Sequence, residues 1–101
     1  MFAQVETDAG KTCIRLNGRF DFSAHRAFRE SYAPWLDADE VRELEIDLGA
    51  VDYLDSSALG MLLMLREKAQ AANKAVSLAN CRGAVRQVLD IANFGKLFSI
   101  R

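Results

Sequence analysis

The chain reads as an α/β protein built on a single, mostly parallel sheet. Three observations lead there. Two β-type segments at the start are separated only by Ala9-Gly10, a pair suited to a tight hairpin. After them, apolar segments with strand and helix periodicity alternate, so the element order is β-β-α-β-α-β-α-β. Helices between successive strands require right-handed crossovers and hence parallel pairing, with the opening hairpin supplying one antiparallel edge strand. The prediction is therefore five strands in one sheet layer, four of them parallel, and three helices.

The elements follow in order. Strands are predicted over Phe2–Asp8 and Lys11–Asn17; in the second, Cys13 and Ile14 are interleaved with charged Lys11 and Arg15 before Leu16. Gly18 breaks that pattern. A helix starts near Ser23, a fair N-cap, with Ala27, Phe28 and Tyr32 on one side, and Pro34 is expected to end or reset it. Arg42–Leu48 is the third strand, with Leu44, Ile46 and Leu48 on one face. A short acidic turn follows, and the second helix runs from Ser56 to Ala72. Ala75–Ala79 is the fourth strand. Gly83–Ala92 is the third helix, with Val85, Val88, Leu89 and Ala92 as its apolar stripe. Leu97–Ile100 is the last strand.

Composition restricts the function. The chain has 101 residues, enough for one domain with one core, and half of them are apolar. A formal net charge of -1 gives no electrostatic grip on nucleic acid or an anionic membrane, so neither is an expected partner. The first residues lack the basic and apolar regions of a signal peptide. Cys13 and Cys81 lie in separate apolar stretches and read as two buried, reduced thiols, which points to the cytoplasm.

The most informative segment is Val51-Asp52-Tyr53-Leu54-Asp55-Ser56-Ser57-Ala58-Leu59-Gly60. It places two hydroxyls and a carboxylate at the start of a helix, where free N–H groups and the positive end of the dipole favour an anion. On a helical wheel, Ala58, Leu62, Leu65, Ala69 and Ala72 form the core face, while Ser56, Gly60, Leu63, Met64 and Glu67 face outward. Leu63 and Met64 are either covered by a neighbouring loop or part of a patch that docks a partner. Gly60 favours the second, because it costs about 1 kcal/mol against Ala inside a helix and removes a side chain one turn from Ser56. Phe22, in the loop after Asp21, is a further docking candidate.

Other chemistry has less support. The single His25 sits among Ser23, Arg26 and Arg29 and reads as a surface residue, and no Gly-x-Ser-x-Gly elbow is present, so a serine hydrolase is not expected. Asp21, Asp52 and Asp55 have the residue type of an acidic metal site but more commonly serve as caps and turn formers. No glycine-rich phosphate loop occurs. The expectation is a binding protein without cofactor or metal, not an enzyme.

Leu54-Asp55-Ser56-Ser57-Ala58-Leu59-Gly60 resembles the Asp-Ser-Ser-Gly-Leu-Gly phosphorylation motif of the STAS-domain family, and in particular of its anti-sigma factor antagonists. Gly18-Arg19-Phe20-Asp21 is similar to the family's Gly-x-x-Asp turn, and Val85–Leu89 with Asn93-Phe94-Gly95 and Leu97-Phe98 resembles its closing helix and strand. The resemblance spans nearly all of 1–101 as one STAS domain. It implies Ser56 as the phosphorylated residue, with Asp21 and Asp55 bordering the same surface; with Phe22, Ser57, Gly60, Leu63 and Met64 these make up the expected partner-binding surface. It further implies an anti-sigma factor or serine kinase as partner and a serine phosphatase that resets Ser56. Two departures from the pattern are Ala58 in place of glycine and the absence of the family's final helix after Arg101. A constitutive STAS subunit of a lipid-transport ATPase, or a sensory scaffold, is the alternative role.

Overall fold

The computed structural model describes residues 2–101. Strands β1 (Phe2–Asp8) and β2 (Lys11–Phe20) form the hairpin; α1 (His25–Leu36), β3 (Glu43–Leu54), α2 (Ser56–Ala71), β4 (Ala75–Ala79), α3 (Gly83–Ile91) and β5 (Ser99–Ile100) follow. The sheet order is β1-β2-β3-β4-β5. β1 pairs antiparallel with β2, and every later pair is parallel. In the hairpin turn Ala9 and Gly10 both take positive φ, 51° and 83°, the geometry whose twist suits a two-residue connection.

Strands that advance in one direction through right-handed crossovers put all their helices on the same face. The buried residues follow that rule. Ile14, Leu16 and Phe20 of β2 and Leu44, Ile46 and Leu48 of β3 are sealed, together with Phe28, Leu62, Leu65 and Leu89 from the helices. Parallel sheets are ordinarily covered on both faces and read as continuous apolar runs. Here the strands alternate, and the uncovered face carries a lattice of charge. Glu45 accepts Lys11 Nζ at 2.8 Å and the Arg101 guanidinium at 2.7 Å. Asp47 accepts the Gly49 N–H at 2.9 Å and Asn80 Nδ2 at 3.0 Å, with Arg15 Nε at 3.4 Å.

Burial opposes ionisation of Asp47, but the Gly49, Asn80 and Arg15 contacts outweigh it and hold its carboxyl below the usual range. Glu45 is lowered chiefly by Lys11. A carboxyl lowered on folding adds stability that is present above its unfolded pKa, about 4, and is lost as pH falls through the folded value. The urea midpoint is therefore expected to be lower at pH 3 than at pH 7. Asp47→Asn should reduce that difference as well as the pH 7 midpoint.

The structure corrects several predicted boundaries. β2 continues past Asn17 to Phe20, because Gly18 (φ 82°) sits at a register irregularity and bends the strand instead of ending it. β3 continues past Leu48 to Leu54, which leaves only Asp55 where a longer acidic turn was expected. Pro34 lies inside α1 rather than ending it. Its missing N–H falls in the last turn on an exposed position, and the helix goes only to Leu36. β5 is confined to Ser99–Ile100, since Leu97 and Phe98 donate back to the Phe94 carbonyl at 3.0 and 2.9 Å and extend the turn begun by the 3-10 segment Phe94–Lys96. Both cysteines are free, but only Cys81 is buried, and burial pushes its thiol up to about 11. Cys13 is half-buried, because it points to the uncovered face. Among the described residues, no helix is long and apolar enough to cross a membrane.

Candidate functional site

β2 and β3 end side by side, with Arg19 opposite Tyr53 and Phe20 opposite Leu54. Each is followed by an aspartate that starts a helical segment. Asp21 accepts the Ser23 N–H at 3.0 Å and the Ser23 hydroxyl at 2.5 Å, which sets the 3-10 turn Phe22–Ala24 leading into α1. Asp55 has an extended backbone and accepts the Ala58 N–H at 2.9 Å as N-cap of α2. The Asp55 N–H in turn donates to the Phe20 carbonyl at 3.4 Å and ties the two strand ends together. Both aspartates therefore have the cap role that their positions suggested. The Ser23 hydroxyl holds the Asp21 carboxyl below its ordinary value; burial opposes it, and the Ser23 N–H and Arg19 assist. Arg19 stacks over the Tyr53 ring at 4.0 Å and brings Nε to 3.4 Å from Asp21.

Ser56 is the first residue of α2 and is exposed, and among the described residues nothing hydrogen-bonds its hydroxyl. Ser57 is half-buried. Because Asp55 is the only side-chain cap of α2, Asp55→Ala should cost about 1 kcal/mol in chemical denaturation. Asp55→Asn should recover most of that, since an amide oxygen also accepts the Ala58 N–H.

α1 and α2 both run back from this edge of the sheet, and a groove of about 380 Å³ lies between them. Phe22, Ser57, Gly60 and Met64 all line it, so four of the sequence-predicted site residues meet there. Phe22 is 74 % exposed and Met64 51 %. Leu63 is exposed as expected but lies outside the groove, on the next strip of α2. Asp21 and Asp55 stand at the strand ends and do not line it. The remaining walls come from His25, Phe28, Arg29 and Tyr32 on α1, and from Met61 and Lys68 on α2. Sequence reasoning did not assign these to the site. Their i, i+3, i+4, i+7 spacing on each helix was visible, but the facing of the two helices is a tertiary fact.

The family model described as MlaB, STAS domain matches residues 3–99. The chain belongs to the STAS-domain family. A STAS-domain-containing protein of Pseudomonas aeruginosa is 48 % identical over 98 residues, which cover 97 % of this chain and 95 % of the relative. Among solved structures, an anti-sigma factor antagonist from Mycobacterium paratuberculosis superposes with a TM-score of 0.85 at 24 % identity, covering 98 % of this STAS domain and 83 % of that chain. The anti-sigma factor antagonist SpoIIAA in its unphosphorylated form gives 0.76 at 21 % identity, over 99 % of this chain and 87 % of its own. The phosphorylated form of SpoIIAA, from Bacillus, gives 0.75 at 21 % identity, over 99 % and 91 %. At these identities the structural matches establish the shared fold: the hairpin, the parallel sheet and the helices of the STAS domain.

Proposed function

We propose that this STAS domain is an anti-sigma factor antagonist controlled by phosphorylation of Ser56. The unphosphorylated form binds an anti-sigma factor, itself a serine kinase or working with one, and so releases a sigma factor. Phosphorylation of Ser56 abolishes binding, and a serine phosphatase restores it. The observation that carries this reading is the exposed, unbonded Ser56 hydroxyl at the start of α2, on the same edge as Asp21, Asp55 and the mouth of the groove. A kinase has open access to it, and a docked partner would sense its charge. The domain itself tolerates the phosphate, since an anion at a helix N-terminus gains a few tenths to about 1 kcal/mol. SpoIIAA matches this fold about equally well in its unphosphorylated and phosphorylated forms, in keeping with a switch that leaves the fold intact.

Pull-down from its own cells with the native protein and a Ser56→Asp variant tests the proposal. Capture of an anti-sigma factor or kinase by the native protein, and its loss with Ser56→Asp, is the expected result. Retention of one transport ATPase by both proteins would instead assign the constitutive-subunit role.

A further inference from the structure

We infer that the groove between α1 and α2 receives an acidic, amphipathic α-helix of the partner protein. This deepens the docking-surface reading above but does not depend on phosphorylation. The floor is apolar: Phe28 and Met61 are nearly sealed, while Met64 at the edge is half-exposed. Methionine adapts its shape to an incoming apolar side chain at little cost. On α2 the groove extends from Ser57 to Lys68, about 16 Å at 1.5 Å per residue, which matches three turns of a helix lying alongside. Both walls are helices, so a third helix fits by the ordinary packing of ridges into grooves. Gly60 keeps the middle open, because a Cβ there would meet nothing within 4 Å.

Charge fixes the kind of helix. Arg29 lines one wall and Lys68 the other, and among the described residues neither side chain makes a hydrogen bond or an ion pair. Among the described residues, no carboxylate lines the groove. Two unanswered cations flanking an apolar floor complement a helix with a leucine-type stripe bordered by Glu or Asp, and they repel its basic counterpart.

Two synthetic 14-residue helical peptides test this: both carry the same Leu stripe, one flanked by Glu and the other by Lys. NMR titration of the full chain is expected to shift the amides of Gly60, Met61 and Met64 with the Glu peptide. The Lys peptide should bind at least about ten-fold more weakly. Arg29→Glu combined with Lys68→Glu should reverse the preference, and Gly60→Leu, which fills open space without disturbing the fold, should remove binding of both. No binding by either peptide, equal binding, or a preference that survives charge reversal overturns the inference. So does a response at the groove to sodium dodecanoate alone, which would assign a small amphiphile, or a concentration-dependent dimer closed over Gly60, which would assign a second copy. Ser56 is untouched throughout, so a failed phosphorylation switch and a failed groove remain separate results.

Discussion

Chain carrying phosphate on Ser56 is expected to bind its partner about 100-fold more weakly than unmodified chain, with its own stability almost unchanged. A 100-fold loss corresponds to about 2.7 kcal/mol. The modification adds about -1.5 to -2 charge and three acceptor oxygens. Ser56 follows Asp55 directly, and Asp21 stands at the end of the adjoining parallel strand. A docked surface would have to bury a dianion next to carboxylates already committed to their caps, a cost that easily reaches this size. Arg19 cannot relieve it freely, because its guanidinium is engaged by Tyr53 and Asp21. Inside the domain the phosphate meets open water and the start of α2, where it is tolerated. Calorimetric titration of both forms against the captured partner, with urea unfolding of each, checks the two halves separately. Amide shifts should change near residues 55–58 and along the mouth of the groove and stay fixed in β4 and α3. Widespread shifts through the core would replace local repulsion by a conformational mechanism.

The sequence made the topology and the helix faces legible. The wheel of α2 put Ala58, Leu62, Leu65 and Ala69 inside, and all four are buried. Ser56, Gly60, Leu63, Met64 and Glu67 are exposed as predicted. Ala72 is only half-buried, because α2 has already ended. The end of β2 was placed too early because Gly18 looked like a terminator. β3 was also placed too short, and it runs on through Gly49: a Cβ there would sit 3.1 Å from Asn80 Cβ and from Asp47 Oδ1, so glycine answers a close approach by the residue that follows β4. Local pattern does not contain that crowding. Met61 is a similar case: the core face read from α2's spacing does not include it, yet it is buried in the floor of the groove that α2 shares with α1. The groove was half-visible for the same reason. Gly60 and Met64 on its α2 wall followed from helical spacing, whereas its α1 wall, and the placing of Arg29 across from Lys68, depend on how two helices lie against each other.

Phe28→Ala is expected to be the most damaging single change near the site, costing about 3–5 kcal/mol in chemical denaturation. Phe28 is 1 % exposed. Its ring lies 5.0 Å from Phe20 and 5.2 Å edge-on to Tyr32, so it joins the end of β2 to the body of α1. Removing it leaves a cavity whose aromatic neighbours cannot easily collapse into it, because Phe20 is held in the β2–β3 ladder opposite Leu54. The total stability of a domain of this size is about 5–15 kcal/mol, so the variant should unfold many degrees below the parent. Phe28→Leu, which retains most of the volume, should cost less than about 1.5 kcal/mol. Met64 lines the same groove from its exposed edge, and Met64→Ala should change stability by no more than about 0.5 kcal/mol. The contrast separates the two surfaces of the groove: the floor belongs to the core and sets the position of α1 against the strand ends, while the rim is free to serve a partner. Equal costs for Phe28→Ala and Met64→Ala would mean that the rim is packed as tightly as the floor, and a groove without a free rim has nothing to offer an incoming helix.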